Sequence, residues 1–166
     1  MEEAIKQFNA QFSWEPVIEH RERLSPAKKF VVGGMGGSHL VADLLLAYKP
    51  ETDLLVFSDY GVPRLSPARL KGSLFIASSF SGNTEEATDF AEQGLAKKLS
   101  VAVIAKGGKL LEFAQKHKLP HVVLPPVKIQ PRSGLGYQML ALAALIGDSA
   151  LQRELAKLAS ALKPSA

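Results

Sequence analysis

The sequence predicts an α/β fold, a three-layer αβα domain built on a five-stranded parallel sheet. Three observations predict it. Five short apolar runs, rich in β-branched residues, are apolar on both faces, as strands buried between two helical layers are. Longer stretches with helical spacing alternate with them, and that alternation favours parallel strands with helices on both faces. The chain has 166 residues, 46% hydrophobic and 22% charged, enough for one core and too apolar for a disordered chain. It has no cysteine, which excludes disulfide scaffolds, thiolate metal sites and cysteine nucleophiles.

Residues 1–28 read as a leading helical segment, with Trp14 packed against the sheet domain or a partner. The five strands are Lys29–Gly33, Asp53–Ser58, Ser73–Ser78, Ser100–Ala105 and His121–Leu124. Helices are expected over Ser38–Tyr48, Thr84–Leu95, Lys109–Lys118 and Tyr137–Ile146. Only a short one fits between Asp59 and Lys71, where Pro63 and Pro67 intervene. Leu151–Leu162 reads as a last helix ended by Lys163-Pro164. The chain thus divides into a leader (1–28), a sheet domain (29–148) and a C-terminal helix with its tail (149–166). Five such strands favour the flavodoxin-like order 2-1-3-4-5 with right-handed crossovers.

The formal net charge of +4 is spread thinly, unlike the dense basic stripe of a nucleic-acid binder, so no nucleic-acid partner is expected. The apolar stretch Leu135–Ile146, interrupted by Gly136 and Gln138, is too short to cross a bilayer, which needs about 20 residues. No membrane association is expected. The opening MEEAIKQFNA is not a basic region followed by an apolar block, so a cytoplasmic protein is expected.

In an open parallel sheet, ligands bind beyond the carboxyl ends of the strands where strand order reverses, here between the first and third strands. The two most loop-like polar segments fall at those ends: Gly33-Gly34-Met35-Gly36-Gly37-Ser38 and Ser78-Ser79-Phe80-Ser81-Gly82-Asn83-Thr84. Each runs into a helix start, where free amides and the dipole favour an anion. Ser38, Ser79, Ser81 and Thr84 add hydroxyls, and no lysine stands in either loop. That pattern suits a compact phosphate ester held by neutral donors. A plain alternative is that Ser81 or Asn83 caps the helix, with Glu85 and Glu86 favouring its first turn. Gly34-Met35-Gly36-Gly37-Ser38-His39 also approximates a dinucleotide fingerprint, with Asp59 at a plausible distance. However, His39 stands where the third glycine belongs, and no Gly-Lys-Ser/Thr supports a P-loop.

These two loops resemble those of the sugar isomerase (SIS) domain family, whose signature is Ser-x-Ser-Gly-x-Thr after a strand. Within it, GGMGGSHLVADLL (33–45), SFSGNTEEA (79–87) and Gln130-Pro131-Arg132 before a helix are similar to the N-terminal half of the bifunctional phosphoglucose/phosphomannose isomerases. The resemblance implies an SIS domain that binds a sugar phosphate through Ser38, Ser79, Ser81 and Thr84, aided by the backbone of Gly36, Gly37, Gly82 and Asn83. It implies that Arg132 is catalytic and stabilises a cis-enediolate. It implies aldose–ketose isomerisation of glucose 6-phosphate or mannose 6-phosphate to fructose 6-phosphate, without a cofactor. It places the catalytic glutamate and ring-opening histidine in a second SIS domain, so this chain is expected to be one half that pairs with itself or with that second domain. A non-catalytic sugar-phosphate sensor and a nucleotide-binding domain are the alternatives.

Other side chains have weaker expectations. Glu85 and Glu86 would repel a phosphate, so at least one should point away. His39 could touch ligand at the crevice mouth. His117 and His121 are spaced like metal ligands, but Pro120 breaks the helix between them and nothing completes a site, so no metal is expected. His20 lies in the leader and should be exposed. Helix Tyr137–Ile146, apolar nearly all round, is either deep core or half of an interface.

Overall fold

The computed structural model describes residues 7–162. Its strands are β1 (Ile18–Glu19), β2 (Lys29–Gly33), β3 (Leu54–Phe57), β4 (Ser73–Ser79), β5 (Ser100–Ala105) and β6 (His121–Val123). Its α-helices are α1 (Gly37–Tyr48), α2 (Pro67–Gly72), α3 (Glu85–Ala96), α4 (Gly108–Lys116), α5 (Leu135–Leu145) and α6 (Ser149–Ala161). Short 3₁₀ turns occupy Asn9–Ser13, Arg21–Arg23 and Pro131–Ser133.

The sheet is six-stranded and mixed, in the order β1-β6-β5-β4-β2-β3. This corrects the expectation of a five-stranded, wholly parallel sheet. β2 pairs in parallel with both β3 and β4, and the parallel ladder continues through β5 to β6. β1 is antiparallel to β6, with Ile18 opposite Val122 and Glu19 opposite His121. Residues 7–28 of the leading segment therefore hold no α-helix, against the expectation. Pro16 and Pro26 interrupt any long helix, and its chain is spent on two 3₁₀ turns and the edge strand. Two residues are too few to show a strand's period of 2. The expected helical start and the Lys163-Pro164 stop fall partly outside the described residues.

Alternation along each strand fills two cores. Phe30, Val32, Leu74, Ile76, Ala102 and Ile104 face one layer, where α1, α5 and α6 add Val41, Leu45, Leu142 and Leu155. Val31, Phe75, Ala77, Val101 and Val103 face the other, against Ala87 and Phe90 of α3 and Leu110 and Ala114 of α4. α5 is buried over most of its circumference, so its all-round apolar character belongs to the core. Trp14 packs edge-on against Tyr137 of this helix, ring centroids 5.6 Å apart. α6 buries Leu151 and Leu155 in the same cluster.

Asp148 starts α6. Its carboxylate accepts from the Leu151 amide at 2.8 Å and from Lys49 Nζ at 2.5 Å. The Lys49 hydrogen bond, ahead of the helix amides, holds its pKa below the ordinary 3.8. A carboxylate depressed on folding contributes stability that is present above its unfolded pKa and lost as pH falls through the folded value. Asp148→Asn keeps a good cap and removes the charge. Its urea midpoint should therefore fall less steeply than the parent's below about pH 4, while Asp148→Ala should lose about 1 kcal/mol even at pH 7. Equal acid slopes for parent and Asn variant would contradict the assignment.

Candidate ligand crevice

β2 and β4 lie side by side, with Gly33 opposite Ala77. The chain leaves β2 into α1 on one face and β4 into α3 on the other, so the two loops meet where the sheet's connections diverge. They are bonded together. The Ser78 hydroxyl donates to the Ser38 carbonyl at 3.0 Å, and the Phe80 amide donates to Ser38 Oγ at 3.0 Å. A side chain at Gly34 would come within 2.7 Å of the Ser78 carbonyl oxygen, so glycine is what allows this approach.

The expected binding residues separate into two tiers. Ser38 (5% exposed) and Ser79 (0%) face inward. Ser79 Oγ accepts from the Gly82 amide at 3.0 Å and shares a 2.8 Å hydrogen bond with Thr84 Oγ1, so these hydroxyls brace the loops. Ser81, Asn83 and Gly36 are exposed, and Gly37 and Thr84 are half-buried. Ser81 Oγ accepts from the Asn83 amide at 3.2 Å. Gly82 is buried at φ +76°.

Neither Ser81 nor Asn83 caps α3. Its N-cap is Thr84, whose side chain makes no cap hydrogen bond, and among the described residues no other side chain accepts from the first-turn amides. Asn83 Oδ1 instead accepts from the Lys109 amide at 3.3 Å, tying the loop to the start of α4. The first turn of α3 thus presents uncompensated N–H groups beside Ser81 and Thr84, where an anion gains both hydrogen bonds and dipole.

A third segment joins the two loops. The 3₁₀ turn Pro131–Ser133 lies against the first loop, so that a Cβ on Gly37 would stand 3.1 Å from the Arg132 backbone nitrogen. Its far end rests on the second loop, where Gly134 covers the Phe80 ring. Arg132 is exposed, and among the described residues its guanidinium enters no ion pair. Lys106, at the end of β5, stands 5.1 Å over the Phe80 ring and donates to the Val127 carbonyl at 3.2 Å. Neither Phe80 nor Lys106 was singled out by sequence. Their signal is the position of Phe80 between two signature serines, an apolar residue in a polar loop.

Two acidic side chains of α3 have partners of their own. Glu85 accepts from the Tyr60 hydroxyl at 3.3 Å, and Asp89 accepts from the Gly61 amide at 2.5 Å. The Glu86 charge, then burial and the Glu85 hydrogen bond, raises the Tyr60 pKa above 10.0. His39 pairs with Asp43 at 2.7 Å, one helical turn on. His121 is buried with Nδ1 2.8 Å from the Leu119 carbonyl, and His117 packs at a tilt against Phe113 with centroids 4.6 Å apart. His20 is half-buried and 5.9 Å from the His121 ring. Among the described residues no three His, Asp or Glu side chains gather as metal ligands, and no helix is long and apolar enough to cross a membrane.

No protein-family profile matches the chain. Curated relatives do. A bifunctional phosphoglucose/phosphomannose isomerase of Caldicellulosiruptor bescii is 37% identical over 120 residues, covering 70% of this chain and 34% of its own length. One from Aquifex aeolicus is 30% identical over 147 residues, covering 86% and 44%. The chain therefore spans roughly a third to under a half of these relatives. Among solved structures, a candidate phosphosugar isomerase of Bacillus subtilis superposes with a TM-score of 0.58 at 15% identity, covering 96% of this chain and 51% of that one. The NanR protein of Vibrio vulnificus, complexed with ManNAc-6P, gives 0.54 at 14% identity, covering 96% and 65%. At these identities the structural likeness establishes the fold, which is of the SIS type.

Proposed function

We propose, for a chain homologous to part of the bifunctional phosphoglucose/phosphomannose isomerases, that the crevice beyond β2 and β4 binds a sugar phosphate, and that the chain is one component of an aldose–ketose isomerase. The observation that carries the proposal is the bonded junction of the two loops, Ser38 to Ser78 and Phe80, at the start of an α3 that no side chain caps. The ester dianion would rest on Ser81, Thr84 and the amides of Gly82–Asn83, facing Gly36 and Gly37. Ser38 and Ser79 beneath keep those donors aimed, and would donate to the ester directly if the loops part slightly. Several neutral donors suit a dianion because each hydrogen bond to a charged group is strong while the site stays open to exchange. The ManNAc-6P bound by NanR is a ligand of the same class.

With the phosphate there, the sugar's reacting end would extend toward Arg132. In aldose–ketose isomerisation a base removes the proton from C2 and returns it to C1, while a proton passes between O2 and O1. The cis-enediolate between these steps carries oxyanion charge, and a fixed guanidinium would lower its energy. Glucose 6-phosphate or mannose 6-phosphate would thus become fructose 6-phosphate. The base and the ring-opening group would come from the remainder of the enzyme, paired with the SIS domain, residues 29–148. Such substrates would suit a cytoplasmic protein.

Titrating glucose 6-phosphate, and separately NAD, into the chain tests this. Sugar phosphate should bind and NAD should not. Removing one hydroxyl, as in Ser81→Ala, costs about 1.5–3 kcal/mol for a hydrogen bond to a charged group, or roughly 10- to 100-fold in Kd. An unchanged affinity in the Ser81→Ala/Thr84→Ala double variant would remove the pocket assignment. Binding without solvent deuterium entering C2, even with the second domain present, would favour a sensor.

A further inference from the structure

We infer that two buried glutamines, Gln138 and Gln11, are positioning residues that fix the turn carrying Arg132. The inference rests on the reading that Arg132 faces the sugar's reacting oxygens. Gln138 lies in α5 and is fully buried, in an otherwise apolar helix. Its Nε2 donates to the Pro131 carbonyl at 3.0 Å and toward the Gly134 carbonyl at 3.4 Å. Gln11, 3% exposed, reaches in from the leading segment. Its Nε2 donates to the Ser133 carbonyl at 2.6 Å, and its Oε1 accepts from the Gly136 amide at 3.0 Å. Of the four carbonyls from Pro131 to Gly134, the glutamine amides hold three and leave only that of Arg132.

Two features show that this clamp serves the turn rather than the glutamines. Gln138 Oε1 is buried and, among the described residues, has no partner. A buried unsatisfied oxygen is a standing cost, so a residue chosen for stability alone would be apolar here. Nor can the amide turn over to relieve it, because Oε1 would then face the Pro131 and Gly134 carbonyl oxygens. The second feature is Gly136, where a side chain would come within 2.7 Å of Gln11 Cβ; only glycine admits Gln11 this close. Gly37 and Phe80 close the remaining sides of the turn. The turn is thus held on both flanks of Arg132 while its guanidinium stays in the open. A long flexible cation gains most from that arrangement, since misplacing a charge by about 1 Å can cost roughly 100-fold in rate.

Two probes separate positioning from folding. Inorganic phosphate engages the serine loop alone. 5-Phosphoarabinonate adds a carboxylate where the enediolate oxygens would form. Arg132→Ala should weaken the arabinonate alone. Gln138→Met, close in volume but unable to donate, should leave phosphate affinity within about twofold and weaken the arabinonate about tenfold, and it should add nothing in the Arg132→Ala background. Gln11→Met should act in the same direction. Equal weakening of both probes, or an effect additive with Arg132→Ala, would overturn the inference and leave the Arg132 reading intact. An unchanged arabinonate affinity in Arg132→Ala would instead defeat that reading, and the clamp's role with it. Should neither methionine variant fold, hydrogen exchange in the unaltered protein decides: the Ser133 and Gly134 amides should be protected well above exposed loops, and free exchange there would overturn the clamp.

Discussion

Gly82→Ala is expected to cost about 4 kcal/mol and to abolish sugar-phosphate binding. Gly82 sits at φ +76°, where a side chain costs roughly 1–3 kcal/mol of backbone strain. The added carbon would also overlap the Gly107 carbonyl oxygen, a backbone atom without a rotamer to escape into. The loops after β4 and β5 would have to separate. Separation strains the Leu110 amide's hydrogen bond to the Gly82 carbonyl at 2.9 Å and the Gly82 amide's bond to Ser79 Oγ at 3.0 Å, each worth about 1 kcal/mol net. Urea unfolding gives the stability and titration with glucose 6-phosphate gives the binding. A variant within 1 kcal/mol of the parent with full affinity would show that the loop is not built on this contact.

Phe90→Ala is expected to cost about 3–5 kcal/mol, the usual toll of emptying a buried phenylalanine. Phe90 is 0% exposed in the centre of the α3 layer, with ring centroids 5.8 Å from Phe75 and 6.0 Å from Phe57. For a chain of this size that is a fall in melting temperature of about 10 °C. The damage should reach the crevice as well. The ring lies where a Gly33 side chain would be, only 2.6 Å from the virtual carbon, so it supports the first residue of the glycine loop. Phe90→Leu should lose much less in stability. A loss under 1 kcal/mol for the alanine variant would mean that the layer refills the void.

The strands were legible because being buried on both faces writes long apolar runs. Lys29–Gly33 and Ser100–Ala105 begin and end as their composition demands. The junction of the two loops was legible because glycine and hydroxyl residues end two neighbouring runs, and the hydroxyls bond the loops to each other. β1 was not, since Ile18-Glu19 becomes a strand only through its tertiary partner β6. The inward turn of Ser38 and Ser79 was also hidden, because sequence shows that a hydroxyl is present and not which way it faces. Gln138 read as a polar interruption of an apolar helix. That was the one available clue to the clamp, and its meaning needs the position of residues 131–134, which no local pattern encodes. Gln11 gave no clue at all.

α1 and α3 leave the crevice on opposite sides of the sheet, each rooted in its own hydrophobic cluster. An ester seated across both loops would therefore act as a clasp over a seam, drawing together two separately packed halves. Occupancy would be sensed far from the cleft, as slower opening of both helical flanks at once, and even a small phosphorylated metabolite could stiffen the whole molecule.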